Sequence, residues 1–275
     1  MSRDTLSKLY TSFIRPQLEY AFEVWSGCSL EDIDKLEKLQ LTTARIVTGL
    51  SVLASRNSLY IETGWEPLVI RRDKAKLLTM FKIYNNLAPD YLKNIVPMVR
   101  NSVSNYNTRN SFDYSLPKCR LELYNKSFVP DTVRKWNSLS NETREITSIG
   151  IFKRKMSNNN DKPPKYFSYG KRYLNILHTK LRHNCILNND LYRCNIINNP
   201  NCSCGMKEDS HHFFFVCRKY FEPRRLMMNA LLLTHNVKMI NVHKLLWGDD
   251  SLSSQENEKI FGIVQKFIQE SGRFN

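Results

Sequence analysis

The chain has 275 residues, of which 41% are hydrophobic and 11% aromatic, and it carries a formal net charge of +15. A chain of this length and composition buries one large core or two modest ones, so we expect a folded protein. No apolar run approaches the roughly 20 residues that cross a bilayer, and the first residues do not form a signal-peptide core. An odd count of seven cysteines argues against a disulfide framework. We therefore expect an intracellular protein, in the nucleus or the cytoplasm, that does not bind membranes.

The first half of the chain is predicted to be helical. Apolar residues recur at helical spacing from Leu6 to Ile14, Pro16 is expected to end or kink that helix, and a second short helix continues to Trp25. Residues 98–124 lack a clear period and are predicted to form a loop with a short β pair around 116–123. Further helices are expected over residues 29–49, 56–62, 67–84, 127–139 and 149–156.

Residues 157–170 have the composition of a linker, with three consecutive asparagines, a Lys-Pro-Pro-Lys run and Gly170. The predicted domains are therefore a helical domain at 1–156 and a smaller helical domain at 171–275, joined by a basic linker at 157–170. Helices of the second domain are expected over residues 171–183, 187–194, 222–234, 240–247 and 254–271. The predicted fold class is mainly α.

Basic residues are concentrated between positions 153 and 182, where nine lysines and arginines stand against Asp161 alone, with aromatic residues among them. Cations neutralise phosphates and aromatic faces stack on unpaired bases, so this combination predicts binding to RNA or DNA that is partly single-stranded. The alternative is a solvated linker whose charge keeps the chain soluble. Together with two arginines of the 67–84 helix, the predicted contact residues are Arg71, Arg72, Lys153, Arg154, Lys155, Tyr166, Phe167, Tyr169, Lys171 and Arg172.

Three cysteines and a histidine that can close a tetrahedral metal site lie within sixteen residues; they are Cys202, Cys204, His212 and Cys217. Zinc favours Cys sulfur and His nitrogen in sets of four, so residues 202–217 are predicted to form a zinc knuckle whose ligand atoms lie within about 4 Å of one another. Gly205 suits the tight turn that the closely spaced first pair requires. His211 is an alternative to His212, and Cys194 is an alternative thiolate. The competing interpretation is a group of buried thiols in a reducing compartment.

Asp249 and Asp250 follow Trp247-Gly248 in a manner superficially like the metal-binding hairpin of nucleic-acid polymerases. Two-metal phosphoryl chemistry needs carboxylates from two separate places on a rigid sheet, and no strand-borne partner for this pair is evident. The pair is therefore predicted to cap the helix that follows. We assign no catalytic residues, and we do not expect the chain to be an enzyme on its own.

Several of these segments, in this order, resemble the C-terminal region of a non-LTR (LINE-type) retrotransposon reverse-transcriptase polyprotein. The segments that carry the resemblance are Leu9 to Ala21 with Trp25, Lys35 to Gln40 with Ala44-Arg45, Ser127 to Pro130 with Trp136 to Leu139 and Phe152-Lys153, and finally Leu181-Arg182, Pro200, Cys202 to Gly205, His212 and Cys217. The first two are similar to the helical thumb that follows the palm in that family, and the last is similar to its CCHC-type knuckle. The resemblance implies a thumb-like domain followed by a smaller helical domain with a zinc-knuckle insertion.

The catalytic palm of that family, with its Tyr/Phe-Ala-Asp-Asp turn, has no counterpart in this sequence. The parent family is an RNA-directed DNA polymerase, so the resemblance implies a region that binds RNA or DNA, holds zinc and lacks polymerase activity of its own. It also implies the palm domain of a full-length element as a protein partner. The alternative is an inert or protein-interaction product of a truncated element copy.

Overall fold

The structure, a computed structural model, describes residues 1–100, 113–157, 163–164, 166–234 and 240–274. Within these ranges every regular element is helical, and β-type pairing is limited to two isolated bridges. The predicted mainly α class is confirmed. None of the helices in the described ranges is both long enough and apolar enough to span a membrane.

The helices before the predicted linker largely follow the hydrophobic pattern. They are α1 (Arg3–Leu9), α2 (Arg15–Glu19), α3 (Phe22–Trp25), α4 (Leu30–Thr48), α5 (Arg56–Thr63), α6 (Leu68–Tyr84), α7 (Asp90–Lys93), α8 (Glu122–Lys126), α9 (Phe128–Asn137), α10 (Asn141–Arg144) and α11 (Ile149–Met156). Side-chain caps set several of the starts: the Ser55 hydroxyl, for example, accepts a hydrogen bond from the Ser58 N–H at 3.0 Å. Gly64 ends α5 at a φ of +65°, a conformation that glycine adopts without a Cβ penalty.

The interruption predicted at Pro16 takes the form of a π turn. Residues Tyr10–Ile14 form this turn, and α2 begins at Arg15, with Pro16 in its first turn where no backbone N–H is required. The turn directs the Tyr10 ring inward, where it stacks on Trp65 with centroids 4.3 Å apart. A π turn holds one residue more than an α turn. The turn therefore places the Tyr10 side chain in the core and lets α2 begin next to Pro16.

The β pair predicted around 116–123 is wrong. The described residues of that segment form no strand, and α8 begins within it at Glu122. A single bridge joins Val99 to Tyr114 instead. The Asn137 amide, on α9, accepts from the Tyr114 N–H at 3.0 Å and donates to the Tyr114 carbonyl at 2.9 Å. A side chain, rather than a second strand, satisfies this stretch of backbone.

The helices of the second half follow the prediction, and they are α12 (Arg172–Arg182), α13 (Asn188–Arg193), α14 (Phe221–Thr234), α15 (Val242–Trp247) and α16 (Ser254–Glu270). The start of α16 is a capping box. The Ser253 hydroxyl accepts from the Glu256 N–H, and the Glu256 carboxylate accepts from the Ser253 N–H at 2.8 Å.

Two compact units make up the chain, and neither is a continuous segment. Unit 1 consists of Met1–Thr11, Leu41–Trp65 and Lys162–Asn275, and unit 2 of Ser12–Gln40 and Glu66–Asp161. The predicted domains share the boundary near 161, which falls inside the predicted linker. They differ in two segments, 1–11 and 41–65, which the sequence-based division assigns to the first half and which pack instead with residues 162–275.

A buried ionic network explains why these two segments belong to unit 1. Glu62, on α5, is fully buried, and its carboxylate accepts from the Arg182 guanidinium at 2.7 Å. The Arg3 guanidinium lies 3.7 Å from the other carboxylate oxygen, and His183 Nε2 lies 3.0 Å from the first. Burial alone would raise the pKa of Glu62, but Arg182, His183 and Arg3 lower it to about 2. The network joins residues more than a hundred positions apart.

Each unit has its own hydrophobic core. In unit 2, helices α6, α9 and α11 meet around Trp136, and the Phe81 and Phe152 rings stack with centroids 4.5 Å apart. In unit 1, helices α12, α14, α15 and α16 pack around the 202–217 segment. The buried residues of the unit 1 core include Leu181, Phe213, Phe214, Leu231, Leu245, Val264 and Phe267.

Candidate metal centre

Four potential ligand atoms converge in unit 1. The sulfurs of Cys202, Cys204 and Cys217 and one imidazole nitrogen of His212 all lie within 4.8 Å of one another. Cys202 Sγ lies 3.7 Å from Cys217 Sγ, and Cys204 Sγ lies 3.3 Å from His212 Nε2. The widest separation is slightly larger than the predicted limit of about 4 Å. The cluster could hold a metal ion, and its members are the four residues that the spacing selects.

The two short distances suit a tetrahedral ion of zinc's size. Zn–S bonds of about 2.3 Å and Zn–N bonds of about 2.0–2.1 Å, arranged tetrahedrally, separate two sulfurs by roughly 3.8 Å and a sulfur from a nitrogen by roughly 3.6 Å. The Cys202–Cys217 and Cys204–His212 pairs lie close to these values. Both pairs therefore stand near ligating distance in the folded chain.

A tight turn brings the first two cysteines together. The Cys202 N–H donates to the Met206 carbonyl at 2.7 Å, and the Gly205 N–H donates to the Cys202 carbonyl at 2.8 Å. An isolated antiparallel bridge between Asn201 and Lys207 closes the turn. Gly205 has a φ of +92°, and a Cβ at this position would meet no atom within 4 Å, so the backbone conformation alone favours glycine there. The predicted role of Gly205 is confirmed.

A π turn places the second pair of ligands. Residues His212–Val216 form this turn, and the Cys217 N–H donates to the His212 carbonyl at 2.8 Å. Because a π turn closes a hydrogen bond between residues five apart, it brings His212 and Cys217 one turn apart despite their four intervening residues. Asp209 fixes the start of the turn, since its carboxylate accepts from the His212 N–H at 2.8 Å.

The geometry selects between the alternatives that the sequence left open. His212 is buried and faces Cys204, whereas His211 is exposed and its ring lies 5.6 Å from that of Phe215. Cys194 is exposed and does not belong to the cluster. His212 is therefore the histidine of the cluster, and Cys194 is not one of its cysteines.

The thiols of the cluster differ in their surroundings. Burial raises the pKa of the Cys217 thiol to about 11, whereas the exposed Cys204 has a pKa below its usual range, chiefly because the Met206 backbone donates a hydrogen bond to it. Metal ligation requires thiolates, and a bound cation favours the deprotonated form. A metal ion would thus counter the effect of burial on Cys217.

Two of the ligands belong to the main core of unit 1. Cys202 and Cys217 are buried in the same cluster as Phe213 and Phe214, which are themselves fully buried and pack against Phe267 at centroid distances of 5.1 and 5.5 Å. The segment between the ligands therefore serves as core, and the knuckle is continuous with the helices around it.

An ion pair that the sequence analysis missed supports the knuckle. Glu208 is buried, and both of its carboxylate oxygens accept from Arg273, at 2.7 and 2.8 Å. Its carboxylate also accepts from the Asn188 N–H at 2.9 Å. Burial opposes ionisation, but the Arg273 hydrogen bonds outweigh it and lower the pKa of Glu208. No local pattern links residues 208 and 273, because they are 65 positions apart.

The cationic residues predicted to contact nucleic acid are partly exposed and partly engaged within the protein. Lys153, Arg154, Lys155 and Lys171 are exposed. Arg71 donates to both carboxylate oxygens of Glu19, at 2.6 and 3.0 Å, and lines the same cleft as Lys153. Arg172 is half-buried and donates to the Ile46 carbonyl at 2.8 Å, at the end of α4.

Arg72 has a structural environment. It is buried, and its guanidinium carbon lies 5.3 Å from the centre of the Trp25 ring. Burial lowers the pKa of Arg72, although nearby carboxylates including Glu37 oppose that shift. The predicted phosphate contact by Arg72 does not fit this position, because the charge is covered by its own unit.

The aromatic residues predicted to stack on bases are occupied inside unit 1. Tyr166 is 9% exposed and Phe167 3% exposed. The Arg182 guanidinium lies 3.7 Å from the centre of the Tyr166 ring, and the Phe261 ring meets that ring edge-on at 5.6 Å. Tyr169 is half-buried, and its hydroxyl lies 2.7 Å from where a Cβ on Gly262 would stand. The Tyr166 and Phe167 rings are core residues, which corrects their predicted stacking on bases.

The Asp249-Asp250 pair belongs to a loop. Asp249 accepts from the Ser251 hydroxyl at 2.7 Å and from the Lys244 ammonium at 2.7 Å. The Lys244 hydrogen bond is the main reason that the pKa of Asp249 is far below its usual range. The prediction that this pair caps the next helix is wrong, because Ser253 caps α16. Asp249 stabilises the turn that precedes the cap.

No protein-family model, curated protein or solved structure matches this chain.

Proposed function

We propose that this chain is a nucleic-acid-binding module with a structural zinc knuckle, equivalent to the post-palm C-terminal region of a non-LTR retrotransposon reverse transcriptase. The observation that carries the proposal is the convergence of Cys202, Cys204, His212 and Cys217. These four residues are the part of the resemblance with a strict geometric requirement. Their arrangement supports the proposal because residues 15 positions apart in sequence come within ligating distance.

Zinc is the proposed metal because of the donor set. Three thiolates and one imidazole are soft or borderline ligands, which magnesium and calcium do not favour. Four protein ligands complete a tetrahedral shell and leave no open position for water or substrate, as in structural rather than catalytic zinc sites. In this proposal the ion stabilises the knuckle, and exposed cations elsewhere on the chain carry the binding.

Nucleic-acid binding is supported by the charge and by its exposed part. The chain carries a net charge of +15, and three consecutive cations on α11, Lys153, Arg154 and Lys155, are exposed, as is Lys171. Exposed cations gain affinity for phosphates through counterion release, without a need for sequence-specific contacts. We therefore propose that RNA or DNA binds through its backbone, with Lys153–Lys155 as the main contacts.

We propose no polymerase activity for the chain by itself. The carboxylate pair considered for metal binding provides no support for such chemistry, since Asp249 is engaged with Lys244 and Ser251. In the proposal a separate palm domain supplies catalysis, and this chain holds template RNA or primed DNA. A primer-extension assay on the chain alone should give no product.

A filter-binding assay tests the proposal. Affinity for a single-stranded oligonucleotide should fall by roughly tenfold or more between 50 and 200 mM salt, because each phosphate contact releases counterions. Reversing Lys153, Arg154 and Lys155 to glutamate should weaken binding and flatten the salt dependence. Reversing three exposed lysines elsewhere, Lys8, Lys35 and Lys38, changes the net charge by the same amount; it is the matched control and should have a much smaller effect.

The same experiment addresses the alternative, an inert product of a truncated element copy. The burial of Tyr166 and Phe167 favours this alternative, because it removes two of the predicted stacking residues from the surface. Unchanged affinity after reversal of Lys153–Lys155, or a flat salt response in the wild-type chain, would rule out the proposed binding mode and favour the inert product.

A further inference from the structure

A cleft of about 290 Å³ opens on the surface of unit 2, between α6 and α11. Its floor is apolar and is formed by Ala75 and Leu78 of α6 and by Phe152 and Met156 of α11. Phe152 is held in place from below by its stacking on Phe81. The volume lies just under the roughly 300–1,000 Å³ of small-molecule sites, so the cleft has room for a group the size of a single nucleotide.

The rim of the cleft is cationic. Arg71, Lys74 and Lys153 line it, against one lining carboxylate, Glu66. Arg71 and Lys74 are ion-paired with Glu19 and Glu66, respectively. Lys153 is exposed as well as lining the cleft, and among the described residues no carboxylate lies within ion-pair distance of it.

We propose that this cleft holds one unstacked base of a bound single strand, with the adjoining phosphate at Lys153. The inference rests on the proposed nucleic-acid binding and specifies where one base of the bound strand is held. A base is a flat, largely apolar face attached to an anion, which matches an apolar floor beside a cation. The Met156 thioether adds a polarisable group that contacts aromatic faces favourably.

The position of the cleft suits a nucleic-acid strand that runs along the surface of α11. Lys153 lies on the rim, and Arg154 and Lys155 continue the exposed cationic surface along the last turn of the same helix. A backbone that crosses these cations passes the mouth of the cleft, where one base can rotate out of its stack and enter. Such a contact tolerates any base, since every base has an apolar face.

The test compares two single strands of about 12 nucleotides that have equal charge, oligo(dT) and an abasic strand of the same length. If one base enters the cleft, wild-type protein should bind oligo(dT) about tenfold more tightly than the abasic strand, a difference of ~1.4 kcal/mol. Ala75→Leu fills the cleft with a good helix former and should abolish this preference while it leaves affinity for the abasic strand unchanged. The thermal unfolding midpoint of the variant establishes that it is folded.

The charge at the rim is tested by a matched pair on α11. Lys153→Glu and Lys155→Glu make the same change two positions apart, and only Lys153 lines the cleft. Both variants should weaken binding of the abasic strand to a similar extent. Only Lys153→Glu should also reduce the preference for oligo(dT) over the abasic strand.

The outcomes separate this inference from the function it rests on. Equal wild-type affinity for the two strands, or a preference that survives in Ala75→Leu, would overturn the cleft assignment and leave backbone binding intact. Failure of the wild-type chain to bind either strand would overturn both.

Discussion

Glu62 lies fully buried against the guanidinium groups of Arg3 and Arg182. A buried ion pair adds little net stability over an apolar core, but removal of one partner leaves an uncompensated charge in a low dielectric. The stability of unit 1 should therefore be sensitive even to a nearly isosteric substitution of Glu62.

Glu62→Gln should lower the free energy of unfolding by about 3–5 kcal/mol, because two buried arginines lose their counter-charge. Urea titration followed by circular dichroism measures this loss. Glu142→Gln, at an exposed position on α10, is the control and should shift the value by less than about 0.5 kcal/mol. A loss below about 1 kcal/mol in Glu62→Gln would show that water or rearrangement compensates the network.

His178 predicts how unit 1 responds to acid. Burial, with a further contribution from Arg182, lowers its pKa to about 3, and its Nε2 lies 3.1 Å from the Leu245 carbonyl, to which it donates. The unfolded chain has the usual histidine pKa of about 6.5 and therefore binds a proton first as the pH falls. The free energy of unfolding should decline from about pH 6.5 down to about pH 3. The free energy of unfolding of the His178→Gln variant should decline less over this pH range. That of His211→Gln, a change at an exposed position, should follow the wild type.

At the residue scale the sequence predicted which side chains cluster at 202–217 better than it predicted which aromatic side chains are exposed. Cys202 and Cys217 could be grouped because metal-ligand spacing is a local pattern that can be read directly along the chain. Tyr166 and Phe167 were misassigned because aromatic residues among cations look the same whether they stack on a base or, as here, pack beneath an arginine. Glu208 and Arg273 were missed because their pairing depends on tertiary structure alone.

The knuckle is the element whose behaviour the geometry constrains most. Cys217→Ser should reduce the proposed zinc content from one ion per chain to near zero, as measured by inductively coupled plasma mass spectrometry. The reason is that the tetrahedral site would lose a charged ligand, the one that joins the π turn to Cys202 and Cys204. Cys194→Ser is the matched control and should retain one ion, since Cys194 lies outside the cluster. Retention of a full equivalent in Cys217→Ser would remove this residue from the ligand set.

Removal of the proposed zinc ion should change the packing of residues outside the 202–217 segment as well. Cys202 and Cys217 share a core with Phe213 and Phe214, so loss of the ion should loosen the aromatic packing around Phe267. Near-ultraviolet circular dichroism, recorded before and after chelation, should show reduced aromatic ellipticity that returns when zinc is restored. An unchanged spectrum after complete chelation would indicate that the core folds independently of the metal.

Most helices could be predicted from sequence because their ends carry local signals. Ser253 with Glu256 caps α16, and Gly64 ends α5. The β pair around 116–123 could not be excluded in the same way, since Tyr114 obtains its backbone partners from the side chain of Asn137. A short extended stretch gives no sign of whether a strand or a side chain will satisfy it.

At the scale of the whole molecule, the two units interleave along the chain. Residues 1–11 and 41–65 pack with 162–275, and the contacts responsible, such as Arg3 with Glu62 and Glu62 with Arg182, span 59 and 120 positions. Composition identified the boundary near 161 because Pro and Asn are concentrated there. It could not identify long-range pairing, which depends on buried charges that are indistinguishable in sequence from exposed ones.

A double-mutant cycle checks that the N-terminal segment is part of unit 1. Arg3→Ala and Glu62→Gln should each destabilise the protein, and together they should cost less than the sum of the two, with a coupling of about 0.5–3 kcal/mol. The physical reason is that each single change leaves the other partner buried and unpaired. Denaturant titration of the four proteins measures the coupling, and strictly additive losses would mean that α1 and α5 are energetically independent.

The π turn at His212–Val216 imposes a constraint on length that is separate from any constraint on composition. Val216 is 36% exposed, so its side chain can change with little consequence for packing. Deletion of that one residue, by contrast, would shorten the π turn to an α turn and rotate Cys217 by about 100° around the helix axis, away from its partner sulfur. Substitution of Val216 should therefore be tolerated, whereas insertion or deletion anywhere between His212 and Cys217 should not be, because the number of residues in the turn sets the angle between these two side chains.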